Sequence, residues 1–219
     1  MSKIESLINN GDFDYLQPYF YTNPYALRCE LGIGDTDEEF LQQAKCRSEM
    51  IYKILFPKGA DAFFFNYWKY DYSNTGDADK DYDAESLDCT IESEMKSLRF
   101  LLECQSKFRH TAVKNLKTYA EPDDEDFGDI QRNRIICYSN KDRENDLQII
   151  SRQIADENSC EISLVSFENE CIMSVYDDRG CDIVFATPQK MKEFYPLLKP
   201  YFLDYDREEM ERRFNTIVG

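Results

Sequence analysis

EISLVSFENECIMSVYDDRGCDIVFA, residues 161–186, is the stretch on which the fold turns. EISLVSF, CIMSVY and CDIVFA are short apolar runs rich in β-branched residues. The breaks between them, Glu168 to Glu170 and Asp177 to Gly180, are polar and too short for a helix, so the segment reads as a three-stranded meander. Upstream, RIICYS reads as a strand and RENDLQIISRQIADE as a helix. Downstream come two helical segments. One is opened by TPQK with Pro188 in its first turn, and the other opens at Asp204 or Asp206 and runs to about Phe214.

The first half has a related rhythm. ALRCELG is a strand ended by the glycines at 32 and 34, and DTDEEFLQQAKCRSEMIYKILFPKG is a helix capped by Asp35 or Thr36, with acids in its first turn and Pro57 and Gly59 as its stop. AFFFNYWKY has the aromatic density of a buried strand, and IESEMKSLRFLLEC is a further helix. Two acidic stretches, 70–90 and 121–130, read as exposed loops; EPDDEDFGD alone carries six acids and no base. The expectation is a single α/β domain over residues 1–219, with α+β as its near variant. A mixed β-sheet carries packed helices, and residues 131–219 form a strand, helix, meander and helix half.

Composition narrows the function. The chain has 219 residues, with 43 acidic against 26 basic side chains, a net charge of -17 and a pI near 4.5. Such a surface repels phosphate backbones and anionic lipid, which argues against nucleic-acid and membrane partners and points to a basic protein partner. The opening MSKIESLINN has no basic region followed by an apolar run, and no stretch approaches the ~20 apolar residues of a spanning helix, so a cytoplasmic protein is expected. Eight dispersed cysteines without a CxxC fit small buried side chains in a reducing compartment rather than a disulfide framework or a zinc site.

Catalytic constellations are hard to build. His110 is the sole histidine, and HExxH, GxSxG, Walker and GxGxxG motifs are missing. DADKDYDAESLD, residues 77–88, spaces oxygens like a calcium loop, but Tyr82 stands where the turn needs glycine and Asp88 where a longer glutamate is usual. No cofactor, catalytic residue or metal ligand is assigned. YDDRGCD, residues 176–182, has two readings. As a bend, Asp177 would accept from backbone donors ahead of it, Gly180 would take positive φ, and Arg179 would face solvent. As a site, Asp177, Asp178, Arg179 and Asp182 would hold a cation or a basic side chain. The 15 Tyr and 15 Phe read first as ordinary core residues, although tyrosines inside an acidic rim would also suit capture of a basic protein.

YDDRGCDIV, the later FYPLLKPYFLDYDREEMERRF and NPYALRCELGIG together resemble a bacterial family of unknown function, DUF3885. That resemblance implies a bacterial cytosolic protein and transfers no catalytic residue. The function expected is therefore a non-catalytic acidic binding protein, of the kind of an immunity-type inhibitor that sequesters a basic partner. Its contact residues would be Asp123, Asp124, Glu125, Asp126, Asp177, Asp178, Arg179 and Asp182. The alternative is a metal-assisted hydrolase using the aspartates of residues 177–182.

Overall fold

The computed structural model describes residues 20–69, 92, 95, 96, 99, 110–115, 131–155 and 161–218. The acidic stretches 70–90 and 121–130, including the calcium-like loop, lie outside them.

The described strands form one seven-stranded sheet. They are β1 (Ala26–Glu30), β2 (Ala62–Lys69), β3 (His110–Asn115), β4 (Gln131–Tyr138), β5 (Glu161–Ser166), β6 (Cys171–Val175) and β7 (Gly180–Phe185), in the order β1-β7-β6-β5-β2-β4-β3. The meander is β5–β6–β7, with Ser166 opposite Cys171 and Val175 opposite Cys181. The described residues make one unit of mixed helix and sheet, the fold class that the sequence leads one to expect. Strand direction is the correction: every ladder among the described residues is antiparallel. The cause lies in the helical crossovers. Each joins strands of like direction, but β7, β6 and β5 stand between β1 and β2, and β2 stands between β4 and β5, so no two like strands become neighbours. The segment 106–120, ambiguous in sequence, contributes the edge strand β3.

Four helices have defined bounds among the described residues: α1 (Asp37–Leu55), α2 (Arg143–Ile154), α3 (Pro188–Leu198) and α4 (Arg207–Val218). Thr36 caps α1 by accepting from the Glu39 N–H, Asp142 caps α2, and Thr187 caps α3 with Pro188 behind it. Positions 92, 95, 96 and 99 are helical too. Every residue of β6 and β7 is buried, so both faces of the meander are covered, and its runs read apolar rather than alternating. α1 and α2 pack together, with α2 on β5 and β6; α3 and α4 pack together against β1. Phe63, Phe64 and Phe65 are core residues, so this aromatic run belongs to the interior.

One polar group is buried in that interior at an evident cost. Asp146, on the first turns of α2, is wholly inaccessible to solvent. Its Oδ2 accepts from the Tyr52 hydroxyl at 2.6 Å and from the Ala60 N–H at 2.8 Å, tying α2 to the end of α1 and the entry to β2. Its Oδ1 finds no hydrogen-bond partner among the described residues. Burial pushes the carboxyl up to about 6, against the pull of those two donors.

Candidate functional site

The site grows out of the register between β1 and β7. Leu31 N–H donates to the Arg179 carbonyl and Phe185 N–H to the Tyr25 carbonyl, each at 2.9 Å, so hydrogen-bonded pairs fall on the odd positions of β1. Arg28 and Asp182, opposite each other, therefore form a non-hydrogen-bonded pair, the kind whose side chains approach most closely. Their contact is bidentate: Arg28 Nε donates to Asp182 Oδ1 at 2.7 Å and Nη2 to Oδ2 at 2.9 Å. The same Asp182 Oδ2 accepts the Phe20 N–H at 2.8 Å. Arg28 Nη1 reaches Asp206 Oδ2 at 3.3 Å, and Tyr21 donates its hydroxyl to Asp206 Oδ1 at 3.0 Å. The rings of Tyr21, Phe20 and Tyr176 lie 4.7, 5.4 and 5.9 Å from the Arg28 guanidinium carbon. The hydrogen bonds to Asp182 raise the Arg28 pKa further above its ordinary value.

The outward edge of the Arg28 backbone is occupied as well. Its N–H points to the Met210 sulfur at 3.2 Å, and its carbonyl accepts from Leu203 at 3.1 Å, so the 199–203 segment and α4 cover β1. Arg213 on α4 donates to the carbonyls of Phe20 and Asn23 at 2.7 and 2.9 Å and to Glu209 at 2.7 Å. A shallow groove of about 530 Å³ runs beside it, between residues 21–25 and α4. Three stretches far apart in sequence, NPYALRC, YDDRGCD and LDYDREE, thus meet on one arginine.

The YDDRG corner itself is a bend. Arg179 N–H donates to Asp177 Oδ1 at 2.8 Å, closing an Asx turn, and the Arg179 guanidinium folds back on Asp177 Oδ2. Gly180 corrects the expectation of positive φ, which it does not have. It begins β7 opposite Glu30, and a Cβ there would lie 2.0 Å from the Tyr176 hydroxyl and 2.8 Å from the Cys29 carbonyl. Close approach, not turn geometry, is what demands glycine. Gly180→Ala is expected to lower unfolding free energy by about 1–3 kcal/mol in urea titration. Adding Tyr176→Phe should recover only part, because the backbone carbonyl stays.

Of the residues expected to face a partner, Asp177, Asp178 and Arg179 do lie at the surface, half-exposed for the two acids and exposed for the arginine. Asp182 does not: it is fully buried under Arg28, because β7 is covered on both faces. Asp123, Asp124, Glu125 and Asp126 lie outside the described residues. The corner has acidic company that the sequence reading left out. The chain leaving β1 is bonded to it through Leu31, and Asp35, Asp37, Glu38 and Glu39 follow, all exposed. Residues 30–39 contain five acids and no base. Around Asp206 two tyrosines are exposed, Tyr21, whose hydroxyl bonds that aspartate, at 61 % and Tyr205, its neighbour in sequence, at 86 %.

Arg28, Asp206, Tyr21 and Tyr205 are the site residues that motif reading missed. A signal was there for the first of them: Asp182 is the lone charge of the apolar run CDIVFA, which only pairing with a base such as Arg28 in ALRCELG makes tolerable. Among the described residues no three His, Cys, Asp or Glu side chains are grouped to hold a metal ion, and no helix is long and apolar enough to cross a membrane.

No curated protein and no solved structure matches the chain. Residues 8–206 match the family described as Domain of unknown function (DUF3885), a span that includes the middle which the terminal motifs alone did not reach. The chain that gathers these three stretches around Arg28 belongs to that family.

Proposed function

We propose that the protein is a non-catalytic binding protein that takes a basic protein partner at the acidic end of its sheet, in the manner of an immunity-type inhibitor in a bacterial cytoplasm. One observation carries the reading. Asp177 and Asp178 sit on the corner to which the chain entering the base-free run of residues 30–39 is bonded through Leu31, and the chain around Asp206 carries the exposed rings of Tyr21 and Tyr205. Negative potential of this kind steers a basic partner and sets its orientation, while aromatic rings supply contact area at low entropic cost. The metal-assisted hydrolase has less support, since Asp182 is committed to Arg28 and Asp177 to Arg179.

The test is affinity capture from the native host with the full chain, followed by calorimetry on the purified partner. The expected partner is basic, and binding should weaken steeply between about 50 mM and 500 mM salt. Reversing Asp37, Glu38 and Asp178 to lysine together should cost about tenfold or more in affinity, and Tyr205→Ala a similar factor. A partner bound equally well by the charge-reversed protein would sink the proposal. Thermal stabilisation by magnesium, manganese or calcium that disappears in Asp178→Asn would favour the hydrolase instead.

A further inference from the structure

Behind the Arg28–Asp182 pair, one residue along each strand, Cys29 and Cys181 are also direct Cα partners. Both are wholly buried and both are free thiols. They occupy a hydrogen-bonded pair of the ladder, where Cα atoms stand about 5.5 Å apart, within the ~4.4–6.8 Å that a disulfide spans. As direct partners on neighbouring strands, their side chains stand on the same face of the sheet. Of the other described cysteines, Cys137 and Cys171 are buried on strands that are not neighbours in the sheet, and Cys46 is exposed on α1.

We propose that Cys29 and Cys181 are a modification site, a dithiol that a peroxide converts into a disulfide stapling β1 to β7. In the first step the sulfur of one cysteine attacks hydrogen peroxide: an S–O bond forms, the O–O bond breaks, and the thiol proton leaves with the displaced hydroxide as water. In the second, the other thiol attacks the sulfenic sulfur: the S–S bond forms, the S–O bond breaks, and a second water departs. Two electrons pass from the two thiols to the peroxide, and no further reagent is needed.

The surroundings set the pace. The neighbouring Cys29 side chain, and then burial, hold the Cys181 thiol well above its ordinary value, so in the closed sheet Cys181 is a slow nucleophile. Reaction follows opening of β1, an edge strand whose outer side, among the described residues, has no ladder but only the Cys29–Phe202 bridge, the Leu203 N–H and the side chains of Met210 and Arg47. Once β1 recloses, strand register delivers the second sulfur to the first, which favours the internal disulfide over a mixed one. The product would lock the Arg28 strand to the strand that carries Asp182.

The experiment uses the full chain and hydrogen peroxide as the probe, with a Cys46→Ser variant alongside to remove the exposed thiol. After oxidation, free thiols are alkylated in denaturant and the protein is digested and mapped by mass spectrometry. The expected result is a linked pair of peptides containing Cys29 and Cys181, 2 hydrogens lighter than their sum, in both proteins, with a higher thermal midpoint that dithiothreitol reverses. The proposal is overturned if both thiols are recovered alkylated after exposures that fully oxidise Cys46. It is equally overturned if the linkage found joins either cysteine to a different partner. Neither readout depends on the partner-binding proposal, so each can fail without the other.

Discussion

Asp182→Ala is expected to destabilise the protein by about 2–4 kcal/mol, because it leaves the partly buried Arg28 guanidinium among three rings without its bidentate partner. The substitution also orphans the Phe20 N–H, which has Asp182 as its acceptor. Asp206 compensates little, since its contact with Arg28 is a single one at 3.3 Å. Urea denaturation gives the free energy, and hydrogen exchange at the Phe20 amide reports separately whether the turn at residues 20–22 has come loose. Replacing both charges, Arg28→Met with Asp182→Leu, should return stability to within about 2 kcal/mol of wild type, the residue being the unsatisfied Phe20 amide. A loss below about 1 kcal/mol in Asp182→Ala would mean that the pair does not organise this end of the sheet.

Asp146 supplies the second large effect, and its signature is in pH. In the unfolded chain its carboxyl titrates near 3.8, in the fold near 6. Below the lower value both states are protonated and the group is neutral in the balance. As pH rises the unfolded chain gives up the proton first, so the stability that goes with a protonated Asp146 is lost progressively until the folded carboxyl has ionised too. At about 1.36 kcal/mol per unit of pKa difference, the loss from this group between pH 4 and pH 7 is about 2 kcal/mol. Asp142 adds to the upward push while Arg143, Tyr52 and the Ala60 N–H oppose it, with burial the largest cause. Asp146→Asn keeps the shape and removes the titration. Its stability relative to wild type should therefore rise by about 2 kcal/mol between pH 4 and pH 7, measured by denaturant midpoint at each pH. A pH-independent difference would show that the buried oxygen is solvated by something the two donors do not account for.

Much of the architecture was legible because it is local. Caps such as Thr36 and Thr187, the proline at the start of α3, and the polar breaks of the meander each act within a few residues, and each appears where its chemistry places it. β3 was not legible: HTAVKN has no strong alternation, and the strand exists by pairing with β4. Gly180 was recognised as necessary for the wrong reason, since a tyrosine ring four residues earlier, not backbone sign, fills the space of a Cβ. The acidic corner was half legible. Its Asx turn follows from Asp177 and Arg179 alone, whereas the fate of Asp182, three residues further on, depends on Arg28 across the sheet 154 residues away.

By itself the amino-acid order determined most of the elements, their caps, the acidic balance and the family signature, all of which rest on nearest-neighbour chemistry or on summed composition. Only the tertiary structure decided which charges meet water. Strand order places Asp182 beneath an arginine and leaves Asp177 and Asp178 on the corner bonded to the chain that leads into residues 35–39, and that order is set by long-range pairing of strands, whose energy depends on contacts no local window contains.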